Sequence, residues 1–417
     1  MKGRIALAAV LGLTAPVLAW LVVEGTRWYD ITAYSGEFSS EGIGGKFDAP
    51  GKLAMQQIRE ARERLGLVGI SAAVSIDGQV IWAGASGRAE IGETPRSMSP
   101  GSAFRIGSTS KAVTATLLAR LVDRGAMDLD APISTYMPKL PNPDWARLTP
   151  RQLASHTSGL PEYAENRDFW GLYQTLALQR HFSDVDQGLE IFDDTQLLSE
   201  PGEKFHYTSF DVNLLAAVMQ SAMQKPYLEL LNVEVLTPLH MESTGGDHAY
   251  QKPDDIADFY EVKLGLAKKW RDVDLSQKWP SGGLVATSSD LARLCGGWFD
   301  PDYLSPETVA KFWEPQRLKS GAVNEQGYAI GWRARPQSTE ISPQKPTPRY
   351  HHGGISKGAM SWLVCYPEAR LGIAININSL LDNFKDLSDI EPPISRLFFE
   401  LAQQGKVQTA AASPKGR

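Results

Sequence analysis

Apolar and polar positions follow two rhythms along this chain, and the switches between them mark its parts. Ala54, Ile58, Ala61 and Leu65 recur at helical spacing, with Gly66 placed to end the helix. Ile70, Ala72, Val74 and Ile76 then alternate, Asp77-Gly78 interrupts, and Val80 and Trp82 resume, which predicts a β-hairpin. The alternation returns near the far end. Trp362, Val364 and Tyr366 lead to a turn at Pro367-Glu368-Ala369-Arg370, and Ile373, Ile375 and Ile377 follow. Ile394, Leu397, Phe398 and Leu401 mark a closing amphipathic helix. Between these ends, roughly 108 to 300, most periodic stretches are helical. Strands at both ends with helices between predict an α+β fold, one antiparallel sheet built from both chain ends with a helical domain inserted.

The flanks lie outside this pattern. Lys2 and Arg4 precede an apolar run from Ile5 to Val23, and no acidic residue appears before Glu24. A run of that length spans a bilayer, and the basic residues before it stay in the cytoplasm. Residues 1–23 are therefore expected to act as a signal anchor, or as a signal peptide cut near Pro16-Val17-Leu18-Ala19. The rest would be exported to the periplasmic face, anchored to the inner membrane or secreted. Residues 24–48, with Ser39-Ser40-Glu41-Gly42-Ile43-Gly44-Gly45, keep no period and read as a linker. One domain is expected over 49–402, its sheet part about 49–107 and 300–402 and its helical insert about 108–299. Residues 403–417 read as a disordered tail.

Composition narrows the partners. A net charge of −6 argues against nucleic acid, which selects a basic face. Cys295 and Cys365 are too few for a disulfide framework or a multi-cysteine metal site; two buried thiols or one disulfide both fit. The seven histidines show no His-Glu-x-x-His spacing, so no metal is expected. No cofactor is implied, which leaves a small-molecule or peptide substrate and, through the N-terminal segment, a membrane.

Two Ser-x-x-Lys patterns occur. Ser342 to Lys345 lies among prolines that forbid a regular helix, whereas Ser108 opens a segment striped by Val113, Leu117 and Leu121. At i and i+3 on a helix, Ser108 and Lys111 are neighbours. A serine hydroxyl attacks only when a base takes its proton, and a lysine is such a base only with its pKa lowered from about 10.4. Gly354-Ile355-Ser356-Lys357-Gly358 matches a nucleophile elbow in letters, but an elbow needs a helix after it and Met360 to Tyr366 alternates as a strand.

Downstream stand Tyr207-Thr208-Ser209 and Tyr350-His351-His352-Gly353-Gly354. This order resembles the penicillin-binding protein and class C β-lactamase-like superfamily of serine hydrolases, with motifs Ser-x-x-Lys, Tyr-x-Asn/Ser and Lys/His-x-Gly. Phe104-Arg105-Ile106-Gly107, His156-Thr157-Ser158-Gly159-Leu160, Pro201-Gly202-Glu203 and Ser281-Gly282-Gly283-Leu284 look like that family too. The motifs are closest to those of the mitochondrial β-lactamase-like serine protease and family esterases. The resemblance implies a β-lactamase/transpeptidase-like fold with Ser108 as nucleophile, Lys111 as base and Tyr207 as proton relay. It implies an oxyanion hole of the Ser108 and Gly354 N–H groups, with Ser209, His351 and Gly353 at the substrate. His352-Gly353-Gly354 fits the third motif as well, so its register is open. His156 reads as a loop brace. With histidine in place of lysine, the motif lacks a fixed charge for a substrate carboxylate. The expected activity is ester or peptide amide hydrolysis through acyl-Ser108, with weak β-lactamase activity at most. The alternatives are a non-catalytic binding or scaffolding member of the fold, a D-alanyl-D-alanine carboxypeptidase or a true β-lactamase.

Overall fold

The computed structural model describes residues 27–34, 37–165, 173, 176–248, 255–342 and 344–412, with backbone alone at 164 and from 404 on. The expected anchor or signal at 1–23 lies outside these residues. Among the described residues, no helix is long and apolar enough to cross a membrane.

The strands are β1 Tyr29–Asp30, β2 Phe38–Gly42, β3 Gly69–Ile76, β4 Gln79–Glu90, β5 Arg96–Ser97, β6 Ala103–Arg105 and β7 Gly245–Gly246. They continue as β8 Tyr260–Lys263, β9 Leu266–Lys269, β10 Leu284–Thr287, β11 Arg333–Arg335, β12 Arg349–Ser356, β13 Ala359–Tyr366 and β14 Leu371–Ile377. The principal helices are α1 Asp48–Leu65, α2 Ser110–Asp123, α3 Ser209–Met223, α4 Ser288–Phe299, α5 Phe384–Ser388 and α6 Glu391–Ala412.

The main sheet runs β11-β12-β13-β14-β3-β4-β2, every pair antiparallel, with β5 hydrogen-bonded to β4. The chain ends meet where β14 pairs with β3, from Ile377 opposite Ile70 to Leu371 opposite Ile76. The hairpin turn falls on Asp77 and Gly78, whose φ values of 53° and 77° give the strand-matching turn that Asp-Gly favours. Helix α1 ends as expected, with Gly66 left-handed at φ 62°.

Both faces of the sheet are covered. Ile70, Val74, Trp362, Val364, Ile373 and Ile375 face α1 and α6 in one core, while Leu363, Cys365 and Ala374 join the helical region's core. Each fully buried aliphatic side chain contributes about 1.5–3 kcal/mol. Helix α4 lies directly on the sheet, for the Ser75 hydroxyl donates to Ala292 O at 2.6 Å and the Ser288 hydroxyl to Ser71 O at 3.0 Å. Cys295 on α4 and Cys365 on β13 form a disulfide with Cα atoms 5.5 Å apart.

Three expectations are corrected. Residues 38–42 are no linker but the edge strand β2, because Phe38 to Gly42 pair with Ser86 to Trp82. The closing helix runs to Ala412, into the stretch read as a disordered tail. The insert is not purely helical either, since its strands β7 and β10 join β6 in a small sheet and its strands β8 and β9 join β1 in another.

Candidate active site

Ser108 lies in a single 3-10 turn, Gly107–Thr109, that feeds straight into α2. Lys111, one turn on, is buried with its ammonium donating to three oxygens. They are Ser281 O at 2.8 Å, Ser108 Oγ at 3.3 Å and Ser209 Oγ at 3.3 Å. Its Nζ also lies 4.9 Å from the Tyr207 ring centre. Burial pushes the Lys111 pKa down and the charge of Arg333 adds to that, while Tyr207 pulls the other way. Two of the motifs and the Ser281 stretch therefore converge on one amine, whose basicity burial lowers as the chemistry demands.

The third motif needs its register read from the backbone. The Ala334 amide donates to Gly327 O at 3.0 Å, away from β12. Its neighbours Arg333 and Arg335 therefore turn their amides toward β12, opposite His351 and Arg349. Alternate residues of an antiparallel strand send their N–H groups to opposite sides. The amides of His351, Gly353 and Ile355 thus point to the β11 edge, which is open beyond His351, while those of His352 and Gly354 are used in the β13 ladder. By this parity the N–H of Gly354, the expected oxyanion donor, belongs to the β13 ladder, and the amide beside it that faces the open edge is that of Ile355.

Gly354 has a different task. A Cβ there would stand 1.9 Å from Ile106 O and 2.8 Å from Ser108 N, so only glycine lets β12 approach the nucleophile turn. Gly107, at φ 51°, mirrors it, since its own Cβ would meet Ile355 N at 2.7 Å. The two backbones meet with nothing between them, which sets the Ser108 and Ile355 amides on one small space.

The same parity separates the two histidines. His352 points toward the helical side, where its Nε2 lies 3.0 Å from the Tyr328 hydroxyl and its ring 6.5 Å from that of Tyr207. His351 faces the other way, 4.7 Å from the Trp362 ring, with no partner for either ring nitrogen among the described residues. The motif thus runs His352-Gly353-Gly354. Burial holds both imidazoles well below their usual pKa, so both are neutral.

A cleft of about 430 Å3 runs over this open strand edge, lined by Ser108, Tyr207, Arg333, His351, Gly353, Ile355, Trp362, Phe384 and Ser388. Gly353 leaves room for Phe384, whose ring would lie 2.3 Å from a Cβ there. Arg333 answers the missing charge. Its guanidinium donates to Gln326 Oε1 at 2.9 Å and lies 5.2 Å from the Tyr207 ring, and no carboxylate pairs with it among the described residues. Sequence reading missed it because nothing local marks an arginine on a short strand as cleft-lining.

Behind Tyr207, His156 is tied to Asp211 and packs at a tilt against the tyrosine ring, so the loop brace also backs the site. Arg105 forms a buried ion pair with Asp247 at 2.6 Å and donates to Lys357 O at 3.1 Å, clamping the β12–β13 turn. Ser356 is a buried strand residue before that turn, as the rejected elbow requires. Ser342 and Lys345 lie in an exposed turn, where the Lys345 amide donates to Ser342 Oγ at 3.3 Å. The aromatic stretch 168–179 falls largely outside the described residues.

The β-lactamase family model matches residues 55–391. The chain belongs to that family. Esterase EstB of Burkholderia gladioli is 31% identical over 83% of this chain and 92% of its own length. The human mitochondrial serine β-lactamase-like protein LACTB is 27% identical over 75% of this chain and 71% of its own. Among solved structures, D-amino acid amidase from Ochrobactrum anthropi superposes with a TM-score of 0.68 at 21% identity, covering 86% of this chain and all of that one. The protein is a serine hydrolase of the β-lactamase fold.

Proposed function

We propose that the protein transfers an acyl group from an ester or a peptide amide to water through acyl-Ser108. The observation that carries this reading is the environment of Lys111. A neutral amine has two N–H groups and one lone pair; the N–H groups suit Ser281 O and Ser209 Oγ, and the lone pair suits the Ser108 proton. As Ser108 Oγ attacks, the carbonyl oxygen gathers charge between the Ser108 and Ile355 N–H groups, each such donor worth about 2.7–4 kcal/mol. Lys111 passes the Ser108 proton through Tyr207 to the leaving group, and water entering the cleft releases the acid with the same groups in reverse.

Arg333 extends the reading to the substrate. An unpaired guanidinium beside the nucleophile selects a group that accepts from it, so the favoured substrates carry a carboxylate near the scissile bond. The esterase EstB and the D-amino acid amidase named above act on bonds of the expected kinds.

Export belongs to this proposal. It is supported by the basic-then-apolar order of residues 2–23 and by the Cys295–Cys365 disulfide, a bond that persists in oxidising compartments.

A fluorophosphonate probe on the purified chain tests the core claim. The adduct should map to Ser108 and vanish in Ser108→Ala; a label on Ser356, or one that survives the substitution, overturns it.

A further inference from the structure

The cleft has an arm that the acyl-transfer step itself does not use. Neighbouring residues of a strand face opposite sides, and two glycines of β12 mark those sides. A Cβ at Gly354 would point at the Ser108 turn, whereas one at Gly353 would run into the Phe384 ring and meet that of Trp362 at 3.1 Å. One cleft nevertheless has Ser108 and Tyr207 as well as Trp362, Phe384 and Ser388 in its walls. It therefore crosses the free edge of β12, from the nucleophile on one face to an aromatic arm on the other.

Gly353 is the floor of this arm. Trp362 stands opposite it on β13, with its ring 5.7 Å from that of Phe384 at 62° and 4.7 Å from that of His351. Walls set edge to face in this way suit another ring. His351 is the polar group of the arm. It is 6% exposed, lines the cleft and has no partner for either ring nitrogen among the described residues. Buried polar side chains are hydrogen-bonded as a rule, so an imidazole in this position is matched by a ligand. The charges that bear on it are the guanidinium groups of Arg333, Arg335 and Arg349. Arg349 is offset by Glu340 and Glu391, at 3.0 and 3.5 Å, while Arg333 and Arg335 donate to neutral oxygens of Gln326 and Ala334. A ligand group that accepts from His351 and carries negative charge fits these surroundings.

The order of the walls decides which half of a substrate reaches the arm. Tyr207 serves the leaving group, and its ring stands 5.2 Å from the Arg333 guanidinium. Arg333 stands opposite His351, and His351 abuts Trp362. The leaving group therefore departs toward the arm. An amine bearing both a carboxylate and an aryl side chain meets every wall, its carboxylate at Arg333 and His351 and its ring over Gly353.

We infer that the leaving group is an aromatic amino acid, so that the enzyme cuts the amide joining an acyl group to a carboxyl-terminal phenylalanine or tyrosine. The C–N bond breaks after Ser108 Oγ has bonded the carbonyl carbon, and the nitrogen takes its proton through Tyr207. Water then releases the acid, so one water is consumed for each amino acid set free. The inference rests on the proposed acyl transfer to Ser108 and narrows its substrate.

Acetyl-alanyl peptides ending in phenylalanine, tyrosine, leucine or alanine, with either enantiomer at the last position, are offered to the purified chain. Chromatography follows release of the last residue. For the preferred enantiomer, phenylalanine and tyrosine should leave with a kcat/KM about 10-fold or more above alanine, the effect of burying one ring. Converting the terminal carboxylate of the phenylalanine peptide to an amide should remove most of that rate. Phe384→Ala should bring the phenylalanine-to-alanine ratio close to one, and Phe384→Tyr should keep it. Equal release of phenylalanine and alanine overturns the inference, as does a Phe384→Ala protein that melts like the wild type and keeps the preference. Leucine released as fast as phenylalanine also overturns it, in favour of a merely apolar arm. Hydrolysis of p-nitrophenyl acetate and fluorophosphonate labelling of Ser108 are measured in the same preparations. Where both persist without a ring preference, this inference alone falls; where both fail, the acyl-Ser108 reading falls with it.

Discussion

His156 Nδ1 lies 3.0 Å from Asp211 Oδ2, and both side chains are wholly buried behind Tyr207. Burial drives the carboxyl pKa up and the imidazole pKa down, while a hydroxyl bond from Ser158 pulls the carboxyl partly back. The His156 ring centre stands 4.3 Å from that of Tyr207 and 4.8 Å from that of Tyr328. Asp211 thus acts on catalysis through a packed ring, as a positioning residue. Asp211→Ala leaves His156 and Ser158 without their partner, at about 1–3 kcal/mol for each orphaned group. A clear fall in melting temperature is expected, with kcat falling more than KM rises, and Asp211→Asn should recover most of both. An Asp211→Ala protein that melts like the wild type would refute this account.

The pH dependence follows from Lys111. As the base it works only when neutral, and burial has lowered its pKa from 10.5. Activity therefore rises with pH through that lowered value. Arg333 contributes to the lowering, so Arg333→Gln returns Lys111 toward its ordinary pKa and moves the rising limb of kcat/KM to higher pH. A neutral p-nitrophenyl ester isolates this effect from substrate binding, and its plateau rate should hardly change. A carboxylate-bearing ester should lose a further 10- to 150-fold, the worth of about 1.5–3 kcal/mol for a charged hydrogen bond. A limb that stays put or moves down would show that Arg333 does not act on Lys111.

What was legible in the sequence was whatever repeats locally. The pairing of Ser108 with Lys111 is an i, i+3 relation, and the alternation from Ile70 to Ile76 and from Ile373 to Ile377 gave the central strands in register with the core. Tyr207 came from motif order. The rest depends on how distant strands align. Ile355 rather than Gly354 turns its amide to the open edge only because the Arg333 and His351 positions pair, and the same pairing turns His352 toward Tyr207 and His351 toward Trp362. A motif written in letters fixes residue types but not strand parity. The edge strand β2 was hidden for a related reason: four of its five residues are exposed, so no apolar alternation announces it.

The Cys295–Cys365 bond joins α4 to β13 across 70 residues of sequence. Closing a loop of that size in the unfolded chain is worth about 4 kcal/mol in the chain-entropy account. Cys295→Ala with Cys365→Ala should lower the melting temperature substantially and leave kcat near wild type, because neither residue lines the cleft. Thermal melts with and without reductant measure it. Equal melting of oxidised and reduced wild type would mean that the bond contributes nothing to the fold.

The oxyanion assignment can be tested at one atom. Ile355 offers its N–H to the open edge of β12, where no strand partner uses it, and its side chain is 57% exposed. Proline removes an amide proton, and an edge position whose N–H faces away from the ladder is where a strand accepts it. Ile355→Pro keeps the ladder to β13, but its ring adds a carbon on a nitrogen that lies close to the Gly107 turn, so its melting temperature is measured alongside its activity. It should lose one of the two donors that meet the developing oxyanion, which costs about 10²- to 10³-fold in kcat. KM should move much less, because the ground-state carbonyl gains little from that donor. Ile355→Ala keeps the amide and loses only an exposed side chain, so it should retain most of the activity and separates the amide's role from the side chain's. A folded Ile355→Pro protein with near-normal kcat would remove Ile355 from the hole and reopen the question of which amide faces Ser108.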